Sequence, residues 1–214
     1  MELNKYIDHT NLKADAKESD IVKLCEEAIK YDFASVCVNP HYVSFAKEML
    51  KDTNVNVATV IGFPLGANTI ETKLYEAIDA VEKGADEIDM VVNIGAIKDH
   101  DYEYVKKEIQ DIFYGIDGKT LKVIIETCYL TKEEIKEMTK ICNETFVNFI
   151  KTSTGYGTRG ASLEDIDIIN EVKNDVLEIK ASGGIRTYQE AIKYVEKGVT
   201  RIGTSNGVEI MEKN

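Results

Sequence analysis

Short runs of apolar, β-branched residues alternate along the chain with longer segments of helical period. The eight short runs are centred near Ile7, Val36, Val57, Ile88, Val123, Phe149, Ile179 and Ile202. Successive centres lie 21 to 35 residues apart, which is the length of chain that a strand, a helix and two short loops occupy. The pattern predicts eight consecutive βα units, arranged either as a closed (β/α)8 barrel or as an open, doubly wound parallel sheet.

The segments between the strands carry their apolar residues on one helical face. Residues 19–31 show this clearly, because Ile21, Leu24 and Ala28 form one stripe with charged residues opposite. Two of the predicted helices open on Ser162 and Thr187, each followed three residues later by a carboxylate, as in a capping box. The clearest helical segments are residues 19–31, 69–84, 162–173 and 187–198.

The number of units favours the barrel over the open sheet, and so do the polar residues found at the strand ends. The first βα turn, residues 11–15, lacks the G-x-G-x-x-G of a nucleotide-binding sheet. A chain of 214 residues is short for a barrel but long enough to form one. The sequence therefore predicts an α/β protein with one (β/α)8 TIM-barrel domain over residues 1–214.

Composition narrows the classes of partner. Lys and Arg number 26 against 38 Asp and Glu, a net charge of −12, so nucleic acid and anionic lipid are not expected partners. No apolar run reaches the roughly 18 residues of a membrane span, and the N-terminal segment does not resemble a secretory signal. Scattered cysteines and histidines predict a cytoplasmic protein with reduced thiols and with neither a metal nor a cofactor.

Charged residues interrupt three of the apolar strands. Asp89 lies in the fourth predicted strand, Lys151 in the sixth and Lys180 in the seventh. The lysines could simply end their strands and reach solvent. In a barrel, however, all three would project toward the C-terminal mouth, where two ammonium groups ~4 Å apart repel by about 4 kcal/mol at an effective dielectric of ~20. One lysine would then be neutral enough to attack a carbonyl carbon, with Asp89 passing protons.

Glycine- and hydroxyl-rich turns follow the last three predicted strands. Residues 182–187 and 203–207 each lead into a helix, and residues 152–157 form a third such turn. Ordinary βα turns have this composition too, but the loops after strands seven and eight are where barrels usually bind phosphate. The candidate substrate- or phosphate-binding residues are Thr152, Gly155, Gly183, Gly184, Arg186, Gly203, Thr204 and Ser205.

Two strand-one residues are weaker candidates. Asp8 and Thr10 could contact the substrate, although a buried Asp8 that holds a loop fits the sequence equally well. Glu126 closes the fifth strand, where it is expected to bond neighbouring lysines or backbone, and Cys37 is expected to be core.

Several of these segments resemble the deoxyribose-phosphate aldolases, in order and over nearly the whole chain. They are ASVCVNP at 34–40, VIGFPLG at 60–66, ADEIDMV at 85–91, KVIIET at 122–127, KTSTG at 151–155 and KASGGIR at 180–186. The resemblance implies a metal-free class I aldolase, a lyase of deoxyribose phosphate catabolism. It would reversibly cleave 2-deoxy-D-ribose 5-phosphate to D-glyceraldehyde 3-phosphate and acetaldehyde.

By position, the resemblance implies that Lys151 forms the Schiff base and that Asp89 and Lys180 are the acid/base pair. The loops at Gly183–Gly184 and 203–205 match the phosphate site. The chain departs from the family where Tyr156 replaces a lysine that some members place near the phosphate, and where Asn206 replaces a small residue.

Three alternatives remain open at the level of sequence. Another Schiff-base sugar-phosphate aldolase or a transaldolase would share the lysine but prefer a ketone donor. A sugar-phosphate isomerase would use both lysines only to neutralise phosphate, and a non-catalytic barrel would bind a phosphosugar without turnover. In each case the expected partner is a small phosphosugar, and a homodimer or higher homo-oligomer is expected because compact barrels often pair through their outer helices.

Overall fold

A computed structural model describes residues 2–212, in which eight parallel strands close into a barrel. Each strand pairs with the next along the chain, and β8 pairs with β1. The strands are β1 Ile7–Asn11, β2 Ser35–Val38, β3 Asn56–Ile61, β4 Glu87–Val91, β5 Thr120–Ile124, β6 Phe149–Lys151, β7 Glu178–Ser182 and β8 Arg201–Thr204. Every predicted strand centre lies within one of them. The predicted barrel is therefore confirmed, and the open sheet is wrong.

Helices connect the strands on the outside of the barrel. Those of the described range are α1 Glu18–Tyr31, α2 Val43–Met49, α3 Ile70–Glu82, α4 Ile94–Lys98, α5 Tyr102–Gly115, α6 Lys132–Glu144, α7 Leu163–Asn170, α8 Tyr188–Glu196 and α9 Gly207–Met211. The predicted caps form, since Ser162 accepts from the backbone N–H of Asp165 and Thr187 makes a full capping box with Glu190. Across the part of the chain described, no helix is long and apolar enough to cross a membrane.

Side chains alternate between the two faces of each strand and so build two different cores. The outward-facing side chains, such as Val36, Ile88 and Ile202, pack against the helices in a large apolar cluster. The inward-facing side chains form a second cluster that is apolar only on the side of β2 and β3, around Cys37 and Val60. The remainder of the interior is mostly polar, with Phe149 and Ile124 as apolar exceptions.

The inward-facing residues form layers of four, each contributed by alternate strands, as the stagger of a closed parallel barrel requires. From the N-terminal to the C-terminal face, the layers are Ser35, Glu87, Phe149 and Arg201; Asp8, Ala58, Lys122 and Lys180; Cys37, Asp89, Lys151 and Gly203; and Thr10, Val60, Ile124 and Ser182. Seven ionisable groups are therefore brought into the first three layers of one narrow interior, with Cys37 beside them in the third.

Phe146 has an unusual backbone conformation in the loop between α6 and β6. It directly follows the C-cap residue of α6 with a φ of 56°, and its side chain is 75% exposed. At the corresponding positions after α3 and α8 the chain has Gly84 and Gly198, both with positive φ. A bulky L-residue in this region carries strain of about 1–2 kcal/mol that glycine avoids.

We expect Phe146→Gly to raise the free energy of unfolding by about 0.5–1 kcal/mol, because the relieved strain exceeds the extra entropy of an unfolded glycine. Thermal denaturation should show Tm rising by about 2 °C. Phe146→Ala is the control, because it removes the exposed ring but keeps the strain, and its Tm should not rise. An equal loss of stability in both variants would show that the ring makes a stabilising contact.

Candidate active site

One buried carboxylate holds three lysines together inside the barrel. The Asp89 side chain on β4 is fully buried, and its Oδ2 accepts from Lys151 Nζ at 2.6 Å and from Lys180 Nζ at 2.7 Å. Its Oδ1 accepts from Lys122 Nζ at 2.8 Å. The three candidate catalytic residues of the sequence analysis are therefore in direct contact, together with a third lysine.

The ion pairs continue toward the bottom of the barrel. Lys180 Nζ lies 2.6 Å from Asp8 Oδ2, and Lys122 Nζ lies 2.5 Å from Glu87 Oε2. Arg201 donates to Glu87 Oε1 at 2.9 Å and to Oε2 at 3.1 Å, and it also donates to Asp8. We call these seven residues the ion network: Asp8, Glu87, Asp89, Lys122, Lys151, Lys180 and Arg201.

The described ion network contains four basic groups and three carboxylates, so full ionisation leaves one positive charge in excess. Lys122, Lys180 and Arg201 each contact at least two carboxylates, whereas Lys151 pairs with Asp89 alone among the described residues. Losing a proton from Lys151 would balance the charges at three against three. Because an uncompensated charge in a buried site is costly, Lys151 is the group whose proton is held least tightly.

Lys180 is fully buried one layer below Lys151 and does not line the cavity, which corrects its predicted place at the mouth. The pKa values of the two lysines move in opposite directions because of the charge excess. Burial lowers the pKa of Lys151, Lys180 lowers it further, and Asp89 opposes the change without cancelling it. Burial also disfavours the charged form of Lys180, but Asp8 and Asp89 outweigh it and raise its pKa. The repulsion between lysines expected from the sequence does contribute, but desolvation is the larger cause.

A cavity of about 470 Å³ opens at the C-terminal mouth of the barrel above Lys151. Lys151 itself is 3% exposed, so its amine lies at the bottom of the cavity. The candidates that line the cavity are Thr10, Lys151, Gly155, Gly183, Gly184, Arg186, Gly203, Thr204 and Ser205. These nine candidates are fewer than half of the 22 residues that line the cavity, and the others include His9, Lys13, Glu27 and Thr154.

Two substrate-binding candidates are absent from the lining of the cavity, and the structure corrects their predicted contact with substrate. Asp8 is fully buried in the ion network, where it holds Lys180 and Arg201. The Thr152 hydroxyl is buried, where it accepts from Ser153 Oγ and from the backbone N–H of Ser182. Asp8 thus supports the site from beneath, whereas Thr152 links the C-terminal ends of β6 and β7.

The predicted phosphate loops differ in what they offer an anion. Gly184 has a φ of +85°, and a Cβ built on it would meet nothing within 4 Å, so its backbone faces open space. The backbone N–H groups of Arg186 and Thr187, however, both donate to Glu190 Oε2 in the cap of α8. Those two N–H groups are therefore already paired, while Gly183, Gly184 and Arg186 line the cavity.

Gly203 has a role that its predicted place in a phosphate loop did not suggest. A Cβ at this position would lie 3.0 Å from Ser182 Cβ and 3.1 Å from Lys180 Cε. The missing side chain makes room for Lys180 to cross the interior to Asp89. Gly203 thus lines the cavity and also leaves the space that Lys180 needs to reach the ion network.

Loop contacts shape the rim of the cavity. Tyr156 donates its hydroxyl to the Leu12 carbonyl at 2.6 Å, and its ring meets Phe63 edge-on at a centroid distance of 5.4 Å. Glu126 accepts from the backbone N–H and the hydroxyl of Thr154, which confirms the predicted bond to backbone.

Between residues 2 and 212, no group of three or more His, Cys, Asp and Glu side chains is arranged to hold a metal ion.

Three members of the ion network were missed by the sequence analysis. Lys122 interrupts the apolar strand β5 in the same way as Lys151 interrupts β6, so the same criterion could have found it. Glu87 and Arg201 begin their strands, where a charge usually reaches solvent, and only the closure of the barrel brings them together.

Comparison with known proteins identifies close relatives. The sequence profile described as DeoC/LacD family aldolase matches residues 3–213. The deoxyribose-phosphate aldolase of Thermococcus gammatolerans is 53% identical over 216 residues, covering 99% of this chain and 96% of that protein.

Solved structures show the same similarity. A crystal structure from Coccidioides immitis matches with a TM-score of 0.96 at 38% identity, covering 99% of this chain and 85% of that chain. The deoxyribose phosphate aldolase of Aeropyrum pernix, described as a unique tetrameric structure, matches with a TM-score of 0.91 at 31% identity, covering 98% of this chain and 89% of that chain.

The charge excess predicts that Lys151 and Lys180 contribute differently to stability. Because the pKa of Lys151 is lower in the folded protein than in the unfolded chain, its protonation opposes folding at neutral pH, and the lost stability returns as pH rises. Lys151→Met should therefore leave the free energy of unfolding unchanged or higher. Lys180→Met leaves Asp8 short of a cation and should lower it by about 3–5 kcal/mol.

Urea denaturation at pH 7 measures both effects. The two variants control for each other, because the lysines are both buried and pair in register across β6 and β7. Equal destabilisation by the two substitutions would contradict the assignment of the excess charge to Lys151.

Proposed function

The chain belongs to the DeoC/LacD family of aldolases, and from that premise we propose that Lys151 is the amine that forms the Schiff base in this protein. The reaction is the class I aldol cleavage of 2-deoxy-D-ribose 5-phosphate to D-glyceraldehyde 3-phosphate and acetaldehyde, the activity named for its relatives. The observation that carries the assignment is the position of Lys151. Its amine lies at the bottom of the cavity, and among the basic groups of the ion network it is the one with a single carboxylate partner.

The reaction begins with a neutral amine. Because the ion network disfavours a proton on Lys151, its lone pair is available to attack the C1 aldehyde of the open-chain sugar. Asp89 accepts hydrogen bonds from both Lys151 and Lys180, so protons can pass through its carboxylate as the carbinolamine forms and loses water. Burial alone would raise the pKa of Asp89, but three neighbouring ammonium groups outweigh burial and hold that pKa well below its usual range. The pKa of Asp89 rises again when Lys151 gives up its charge.

The charge of the network also favours the bond-breaking step. The iminium on Lys151 restores the excess positive charge that the network disfavours. As the C2–C3 bond breaks, the C3 hydroxyl passes its proton to solvent in the cavity and becomes the aldehyde group of D-glyceraldehyde 3-phosphate. The electron pair of the broken bond goes into a neutral enamine, which removes that excess. Protonation of the enamine at C2 and hydrolysis then release acetaldehyde and the free amine.

The phosphate is proposed to lie at the other side of the same cavity, against the Gly183–Gly184 segment, Arg186 and the loop at Ser205. Support comes from their shared place in the lining and from the open space at Gly184. Arg186 supplies a positive charge in a chain that is otherwise strongly acidic. Tyr156 closes the rim by bonding Leu12.

We further propose a homo-oligomer in the cytoplasm. The Aeropyrum pernix relative is described as tetrameric, and this chain exposes Tyr75 on α3 and Tyr114 on α5, each at about three-quarters of its surface. Cys25, Cys37 and Cys142 are free and buried, which suits a reducing compartment.

Borohydride reduction in the presence of acetaldehyde should place an ethyl group on Lys151, identified by peptide mass mapping. Lys151→Met should remove the adduct and lower turnover by about 10³-fold or more while the protein stays folded, because the other lysines that line the cavity, Lys13 and Lys23, are exposed and are not held by Asp89. Dihydroxyacetone is the comparison donor, and its preferential trapping would favour a transaldolase-type activity. An adduct on Lys180 would reverse the lysine roles, and turnover by folded Lys151→Met would refute the assignment.

Gly184→Ala should separate phosphate binding from chemistry. The new methyl group enters the open space facing the cavity, in a backbone conformation that alanine adopts only with strain. We expect kcat/KM to fall about 10-fold for deoxyribose 5-phosphate and to change little for deoxyribose, an effect of about 1.4 kcal/mol on the transition state. Steady-state kinetics with both sugars measures the ratio.

Gly118→Ala is the matched control, because Gly118 has a similar φ of +78°, also faces open space, and lies in the loop before β5 at the other end of the barrel. It should leave both rates unchanged. An equal loss with both sugars in Gly184→Ala would place the phosphate elsewhere.

A further inference from the structure

We propose that Glu87 and Arg201, at the bottom of the barrel, are positioning residues whose charges set the reactivity of Lys151 at the top. This inference rests on the proposed function of Lys151 and extends it to two residues that lie outside the cavity lining. It assigns to them an electrostatic role in the reaction, exerted through the ion network.

Glu87 and Arg201 face each other in the layer of the barrel most distant from the mouth. Glu87 is 1% exposed, and its Oε1 accepts from Arg201 and, at 2.9 Å, from Asn56 Nδ2. The Arg201 guanidinium lies 5.6 Å from the centroid of the Phe149 ring. The pair is therefore fixed in position and shielded from water on most sides, so its charges act with little screening.

Two series of ion pairs connect this layer with Lys151. One passes from Glu87 through Lys122 to Asp89, and the other passes from Arg201 through Asp8 and Lys180 to Asp89. Both end on the carboxylate that holds Lys151. A change in charge at either start alters the charge balance at the shared end.

Three titratable or charged groups from neighbouring strands face the Lys151 amine. They are the Asp89 carboxylate on β4, the Lys180 ammonium on β7 and the Cys37 thiol on β2. Glu87 and Arg201 reach these groups through Lys122 and Asp8, and the cavity side of Lys151 is open to substrate.

The charge count gives the two residues opposite effects. Without the Glu87 charge, four basic groups face two carboxylates, so the proton on Lys151 becomes less favourable still. Without the Arg201 charge, three basic groups including a protonated Lys151 face three carboxylates, so the proton is retained. A purely structural role offers no reason for effects of opposite sign, and apolar residues would fill this layer at lower desolvation cost.

The test compares Glu87→Gln with Arg201→Met by two readouts: the acid limb of kcat/KM, and the pH dependence of borohydride trapping of acetaldehyde on Lys151. Since a unit charge roughly 8–10 Å away at an effective dielectric of ~20 moves a pKa by about one unit, the Glu87→Gln limb should shift to lower pH by about one unit. The Arg201→Met limb should shift to higher pH by a similar amount. The double variant, whose charges again differ by one, should return close to the wild-type profile.

Glu108→Gln is the matched control. Glu108 is as buried as Glu87 and pairs with Lys73 Nζ at 2.6 Å, but it lies on α5 outside the barrel interior. Its substitution should leave both pH profiles in place. Arg201→Lys keeps the charge and should also keep the profile.

Either single variant decides the question, because a shift of the wrong sign or no shift overturns the inference while wild-type trapping keeps the proposed function. If neither variant folds, Asn56→Asp adds a charge beside Glu87 at an exposed position and must move the limb to higher pH. Absence of both turnover and a Lys151 adduct in the wild-type protein would instead refute the proposed function itself.

Discussion

The structure depends on one fully buried carboxylate, Asp89, that three lysines share inside the barrel. Removing seven charged groups from solvent is costly, and only close pairing with correct geometry offsets that cost. Such geometry needs the strands held in one register, because a slip of one residue would turn an inward charge outward. The apolar layer between strands and helices provides this rigidity. The outer apolar cluster therefore helps to hold the charged groups inside the barrel in their paired geometry.

The pairing is incomplete by one negative charge, and this incompleteness links stability to function. A fully balanced network would leave every amine protonated and unreactive. With one cation too many, the least compensated amine gives up its proton, and the same imbalance later disfavours the iminium relative to the enamine. One electrostatic feature thus activates the nucleophile and promotes cleavage of the carbon–carbon bond. The protein gives up some folding free energy at Lys151 for this reactivity, as strained or unbalanced functional sites commonly do.

Much of the fold and the centre of the site could be predicted from the sequence because both follow local rules. Eight β-branched runs at regular spacing predict the strands, and charges within buried strands indicate Asp89, Lys151 and Lys180. The other features of the site depend on the closure of the eight strands into a barrel, which no local pattern in the sequence shows. Glu87 and Arg201 are 114 residues apart and meet only because the stagger of the barrel puts alternate strands in one layer. For the same reason Asp8 lies below the cavity, and Gly203 makes room for a lysine from the neighbouring strand.

The distribution of polarity inside the barrel explains why desolvation outweighs repulsion at Lys151. On the side of β2 and β3 the interior is filled by Cys37, Ala58 and Val60, with Leu12 and Phe63 above them. These side chains offer no compensating charge and exclude water from one side of the amine. The charged side, from β4 to β1, then holds Asp89 in place but commits most of its negative charge to Lys122, Lys180 and Arg201. The Lys151 side chain extends from β6 toward the opposite strand β2, bonds Asp89 and faces Cys37. The apolar half therefore raises the cost of its proton, and the polar half leaves that cost uncompensated.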